Sequence, residues 1–173
     1  MVKTVVILGA GLAGLPLAHS ILKKQADKFD LKVILVSPSD EFYWNLASPR
    51  AAIPGQYGDD KVFYSIPDAF SSYKKERFEF VLGKATGWNP AENSVVVADA
   101  STGELTIKYE TLFVATGSTP KDGQPWKLLG TSGETHAALD KLRVDIVSQA
   151  SISPSWTFFN FLNVKVILVK HQP

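Results

Sequence analysis

The residues best arranged for chemistry stand at the start of the chain, where Gly9-Ala10-Gly11-Leu12-Ala13-Gly14 follows the apolar run Val5-Val6-Ile7-Leu8. The spacing is G-x-G-x-x-G, and the chemistry it serves is recognition of a pyrophosphate. Gly9 lets the chain turn sharply after a strand, and Gly11 lets backbone approach the phosphates. Gly14 lets the next helix lie close on the strand. That helix would then offer free N–H groups and a partial positive charge to the anion. Little else in the chain can do chemistry. There is no cysteine among 173 residues, which removes disulfides, thiolate metal sites and thiol catalysis. The three histidines, His19, His136 and His171, are far apart, lack metal-ligand spacing and read as surface or packing residues. No metal site and no catalytic acid–base set is expected.

A loop of this kind needs a strand before it and a helix after it. Residues 3–8 are a short, continuous, β-branched run, as in a buried parallel strand. The pattern predicts a helix over 12–26, with Leu12, Leu15, Ala18, Ile21, Leu22 and Gln25 along one stripe and Pro16 in its early turns. A second strand over 32–37 completes a βαβ unit with a right-handed crossover. Residues 38–60, with Pro38, Pro49 and Pro54, read as a long loop or short helical turns. Pro67 to about Lys75 reads as a short helix, ending in the solvated run Lys74-Lys75-Glu76-Arg77. Strands are expected at 78–82 and 111–115, with an antiparallel hairpin of 94–98 and 104–109 between them. The last strand ends in Thr116-Gly117-Ser118-Thr119-Pro120, and Thr135–Ala150 reads as an amphipathic helix. The expected fold class is α/β: a Rossmann-like FAD/NAD(P)-binding domain with a parallel sheet and a small antiparallel hairpin or meander, incomplete.

Bulk composition agrees with one domain. Hydrophobic residues make up 45% of the chain, ample for a core, and the net charge of +1 gives no electrostatic case for nucleic acid or an anionic membrane. The stretch from Lys3 to Leu22 could pass for a secretory leader. Its glycines, Pro16 and His19 make a poor apolar region, however, and no small-residue cleavage site precedes Lys23-Lys24. No segment approaches about 18 uninterrupted apolar residues, and Met1-Val2 lacks the glycine for N-myristoylation. A soluble, cytoplasmic protein is expected, with peripheral membrane contact and oligomeric state left open.

Three segments resemble one family across residues 3 to about 150. They are Gly9 to Gly14, the run Ser39-Asp40-Glu41-Phe42 through Asn45-Leu46-Ala47-Ser48-Pro49-Arg50, and Leu112-Phe113-Val114-Ala115-Thr116-Gly117-Ser118. The family is the FAD-dependent pyridine-nucleotide oxidoreductases with two dinucleotide-binding domains. The branch they resemble includes apoptosis-inducing factor-like proteins and ferroptosis suppressor protein. The resemblance implies that the loop Gly9, Ala10, Gly11, Leu12, Ala13, Gly14 holds the FAD pyrophosphate. It also implies that Arg50 contacts FAD, that the backbone at Val81 meets the adenine, and that Thr116 and Gly117 form the turn beside the cofactor. Its cofactors are FAD, with NAD(P)H as electron donor, and its partner is a small quinone-like acceptor.

The chain departs from the family in three places. Where the second strand normally ends in an acidic ribose ligand, this chain has Ser37, so a weaker ribose contact is expected, with Asp40 as the alternative. No basic residue nearby suggests a 2′-phosphate. No cysteine pair follows the second strand, so electrons would leave the flavin directly. Finally, residues 151–173 carry no second glycine fingerprint, although Val164 to Val169 could be a strand. The domain expectation is therefore a partial FAD-binding domain over 1–150 and an atypical tail over 151–173 in place of the NAD(P)H-binding domain. Three functions stay open: the FAD-binding part of an NAD(P)H-dependent oxidoreductase, a truncated non-catalytic nucleotide-binding module, and a simple NAD-dependent dehydrogenase domain. Ser37 and the Ala-Thr-Gly strand end argue against the last.

Overall fold

In the computed structural model, residues 2–99 and 103–150 are described, together with the backbone of 158–161 and 164–167. Strand β1 (Lys3–Leu8) leads through the glycine loop into helix α1 (Gly14–Lys24) and one further turn, α2 (Ala26–Phe29). The chain returns as β2 (Leu31–Ser37). A small ribbon, β3 (Glu41–Tyr43) with β4 (Phe63–Ser65), brackets the turn α3 (Ser48–Ala51), and α4 (Ile66–Ala69) follows. Then come β5 (Phe78–Asn89), β6 (Ser94–Asp99), β7 (Gly103–Lys108), β8 (Thr111–Val114) and the long helix α5 (Ser132–Ala150).

Six strands form one sheet in the order β7-β6-β5-β2-β1-β8. The pairs β5–β2, β2–β1 and β1–β8 are parallel, and β5–β6 and β6–β7 are antiparallel. Strand β5 joins the two halves. Its first five residues pair with β2, and from Gly83 onward it pairs with β6 instead. A side chain at Gly83 would sit 2.7 Å from the Ala98 carbonyl oxygen, so only glycine allows that crossing. The sequence expectation of a strand over 78–82 stops at this glycine.

The strands alternate as their residues dictate. Val5, Ile7, Val33 and Leu35 face Ala18 and Leu22 of α1, while Val6, Leu8, Ile34 and Val36 face Val81, Val95, Val97 and Ile107 on the meander side. Each such buried side chain contributes about 1.5–3 kcal/mol. A third cluster sets Leu139 and Leu142 of α5 against Tyr43, Ala51, Val62 and Phe63.

Several boundaries differ from the sequence reading. Helix α1 begins at Gly14, so Leu12, expected on its buried stripe, stands exposed on the loop before it. Pro16 falls in the helix's first turn, where its missing N–H would have had no partner. The expected helix from Pro67 shrinks to one turn, capped where the Ser65 hydroxyl accepts the Asp68 N–H at 3.2 Å. The stretch 38–60 holds the short turns expected of it, but also β3. Helix α5 starts three residues early because Thr131 and Glu134 make a reciprocal capping pair: each side chain accepts the other's backbone N–H, at 3.3 and 3.2 Å. In the tail, the strand expected at 164–169 runs from Val164 to Ile167, paired antiparallel with Phe158–Phe161. The rest of 151–173 lies outside the described residues.

Candidate functional site

At the carboxyl ends of β1, β2 and β8, where ligands of open α/β sheets bind, a groove of about 1080 Å³ opens. Its floor is the glycine loop. One wall comes from the end of β2 and the middle of β5, and another from Thr116 to Thr119. A third comes from β3 and the segment Lys127–Thr131 that leads into α5.

The three motif glycines stand in different surroundings. Gly9 has φ 101°, and a Cβ there would lie 2.4 Å from the Ala115 carbonyl oxygen, so β8 excludes any side chain. Gly14 is excluded by the loop itself, since its Cβ would lie 1.9 Å from the Gly9 oxygen. A Cβ on Gly11 would meet nothing within 4 Å, yet Gly11 lines the groove. The fold itself therefore makes no steric demand for glycine at this position. Beside it, α1 has neither a side-chain cap nor an acidic residue in its first turn, while Lys23 and Lys24 occupy its last. An anion at the helix N-terminus meets no competing carboxylate on that turn. Leu12 and Ala13 line the lip, and Ala10 is buried in the core beneath.

The other residues singled out by sequence fall in three groups. Thr116 and Gly117 line the groove, Gly117 with φ 68°. Ser37 also lines it but is only 3% exposed, and its hydroxyl accepts the Ser39 N–H at 3.2 Å. That oxygen is already engaged in the turn after β2. Asp40 accepts a hydrogen bond from the Ser132 hydroxyl at 3.3 Å. Val81 is buried opposite Val36 in the sheet, and the next residues, Leu82 to Ala85, supply the groove wall. Arg50 stands apart on α3, where its guanidinium donates to the Tyr57 hydroxyl at 3.1 Å and lies 5.8 Å from that ring.

Sequence reasoning missed part of the lining. Lys127 donates to the Ser118 hydroxyl, and Lys84 stands on β5, so two cations flank the groove. Glu41 and Glu134 are its carboxylates. The segment carrying Lys127 is pinned by Tyr43, whose hydroxyl donates to the Pro125 carbonyl at 2.8 Å, and by Asn45, which donates to the Trp126 carbonyl at 3.2 Å. Burial pushes the Tyr43 phenol up to about 12, so it remains a donor throughout the neutral range. Tyr43 and Asn45 were legible only as part of the run after β2, because their partners lie some eighty residues on. Among the described residues no cluster of three or more His, Asp or Glu side chains could hold a metal ion. No helix there is long and apolar enough to cross a membrane.

The donor set suits FAD. Free helix N–H groups and open space at Gly11 fit a pyrophosphate, the two lysines in the lining suit a ligand that carries negative charge, and the small apolar wall at Ala85 and Ala98 admits a flat ring.

A family model described as pyridine nucleotide-disulphide oxidoreductase matches residues 3–150. The oxidoreductase ptaL of Pestalotiopsis fici is 39% identical over 132 residues, 75% of this chain and 35% of that protein. Ferroptosis suppressor protein 1 of Xenopus tropicalis is 32% identical over 114 residues, 66% of this chain and 26% of that one. Among solved structures, the sulfide:quinone oxidoreductase of Aquifex aeolicus superposes with a TM-score of 0.64 at 22% identity, covering 88% of this chain and 33% of that one. NDH2 of Plasmodium falciparum in complex with NADH gives 0.64 at 19% identity, covering 88% and 30%. These two share the fold. The chain thus spans about a third or less of the length of each of these proteins.

Proposed function

Because the chain belongs to the pyridine nucleotide-disulphide oxidoreductase family, whose members are FAD-dependent NAD(P)H oxidoreductases, we propose that it is the FAD-binding portion of such an enzyme and that electrons pass on to a quinone-like acceptor. The observation that carries this reading is Gly11: a glycine the fold does not require, placed on the groove floor at a helix N-terminus. In the proposed complex the loop from Gly9 to Gly14 holds the pyrophosphate, with Lys84 and Lys127 neutralising part of its charge. Thr116 and Gly117 close the groove beside the flavin. With the Ser37 hydroxyl engaged by Ser39, the ribose hydroxyls rest on weaker contacts at the end of β2, or on Asp40. When bound, the flavin supplies the redox chemistry, accepting hydride and passing electrons on, while the protein binds, orients and sets the electrostatics. The quinone-like acceptor is supported by the name of one structural neighbour, a sulfide:quinone oxidoreductase. With no cysteine, this chain offers no thiol relay between flavin and acceptor.

A second reading is a nucleotide-binding module without turnover. Purified chain titrated with FAD separates these readings. Flavin binding with fluorescence quenching supports both, and bleaching of the bound flavin by NADH supports the oxidoreductase alone. Absence of flavin binding by a folded chain refutes both.

A further inference from the structure

His136, expected to be a surface or packing residue, sits between two carboxylates. Its Nδ1 lies 3.1 Å from Asp59 Oδ2, and its Nε2 lies 3.1 Å from Glu41 Oε2. Its ring stacks on Phe63 at 3.6 Å and 19°. A neutral imidazole carries one N–H donor, and two carboxylate oxygens require two. The arrangement is therefore satisfied by the imidazolium. Glu41 belongs to β3 and lines the groove, while His136 lies on α5 just past Glu134, which lines the same wall.

We infer that His136 is a protonation-dependent strap: as the imidazolium it ties α5 to Glu41 and Asp59, and so holds together the two parts of one groove wall, β3 and the segment that runs into α5. The groups facing it support this. From α5, Arg143 pairs with Asp59 at 2.8 Å and with Asp140 at 2.9 Å. From β4 it meets the Phe63 ring, against which Tyr43 of β3 stacks at 4.7 Å. On the turn that carries Asp59, the neighbouring Asp60 pairs with Lys61 at 2.9 Å. Burial works against the charge on Asp59, but the hydrogen bonds and charges of Arg143 and His136 outweigh it and hold the carboxyl below its ordinary range. Asp59 is thus ionised wherever an imidazole titrates. Other ties in this region run from Tyr43 to Pro125, from Asn45 to Trp126, from Ser132 to Asp40, and from the Arg143 guanidinium to the Ala51 carbonyl at 2.9 Å. Among the ties named here, His136 is the one built on an imidazole, whose two ring nitrogens can both donate only when the ring is protonated.

The effect on nucleotide affinity rests on the FAD reading above; the strap itself does not. The chain has no cysteine, so Lys61→Cys with Lys141→Cys places spin labels on the Asp59 turn and on α5 without background labelling. At pH 6 the label separation should be narrowly distributed, and at pH 8 it should broaden. In the same pair carrying His136→Gln it should be broad at both. In parallel, the native chain's Kd for FAD should rise about two- to fivefold from pH 6 to pH 8, the size expected of a partly exposed ion pair. It should be flat in His136→Gln. A native label distribution that is identical at the two pH values overturns the inference, and the native series decides this even if the glutamine variant fails to fold. Labels that respond while FAD affinity stays flat overturn the link to the groove. Labels that respond in a chain that binds no FAD at any pH uphold the strap and refute the FAD reading instead.

Discussion

Alanine at Gly11 and alanine at Gly14 should behave in opposite ways, although both glycines belong to one motif. At Gly14 a Cβ would lie 1.9 Å from the Gly9 oxygen, and both atoms are fixed by backbone. To reach ordinary contact the start of α1 must retreat by more than 1 Å, roughly the overpacking that costs about 1–3 kcal/mol. For a domain of this size that lowers Tm by about 2–12 °C. At Gly11 the new methyl meets nothing within 4 Å, and the residue has no positive φ to forfeit. Gly11→Ala should therefore leave Tm unchanged or raise it, by up to about 1 kcal/mol of restricted unfolded chain. Its effect should fall on the ligand. Gly11→Glu goes further by adding a carboxylate beside the phosphates. At about 5 Å and an effective dielectric of about 20, like charges repel by about 3 kcal/mol, or about 100-fold in Kd. Thermal melts and FAD titrations of the three variants check the reasoning. If Gly11→Ala melts as low as Gly14→Ala, or Gly11→Glu binds FAD as the native chain does, the division of roles between these glycines is wrong.

Other outcomes follow from the same geometry. Ser37→Ala should destabilise the chain by about 1–3 kcal/mol, since the Ser39 N–H loses its acceptor in a buried turn; denaturant melts would show it as a lower midpoint with unchanged slope. Asp59, held below the ordinary carboxylate range, contributes stability that is present above its unfolded pKa and lost as pH falls through its lower folded value. Asp59→Asn should accordingly lower Tm at pH 7 and flatten the decline below about pH 4, and an unaltered acid limb would count against the Arg143–Asp59–His136 network. Tyr43→Phe should cost about 1 kcal/mol and loosen the Lys127 segment, seen as faster amide exchange at residues 126–131; equal exchange would mean that the segment is held elsewhere.

The parts of this molecule that could be read from sequence are those in which one residue pattern fixes one structure over a single span. Val5 to Leu8, the glycine triplet and Val33 to Val36 are of that kind, because continuous apolar β-branched runs on either side of a turn have one economical arrangement. The ribbon β3–β4 escaped because three-residue strands carry no period, and β5 was cut short because Gly83, Lys84 and Gly87 interrupt its apolar run just where it changes partner. The start of α5 was legible in principle from Thr131 and Glu134, a spacing that marks a helix beginning. At the site, the phosphate loop was local and was seen. The pairing of His136 with Asp59 and Glu41 spans 77 and 95 residues, and no spacing rule links such distant positions in one sequence.

The place of β1 between β2 and β8 bears on the order in which the molecule comes into being. Its first neighbour joins at the register Lys3–Leu31, while the second joins at Val5–Thr111. On a growing chain the turn, α1 and β2 can assemble as soon as some forty residues have emerged, whereas the Ala115 carbonyl that crowds Gly9 arrives long afterwards. Bringing β8 home closes a loop of about a hundred residues, the kind of distant contact that slows folding. A methyl at Gly9 would strain the positive-φ turn from the outset and would obstruct this final docking as well. Its signature should be a weakened early phase followed by a stalled last one, with the nascent sheet edge at β1 left open to other chains.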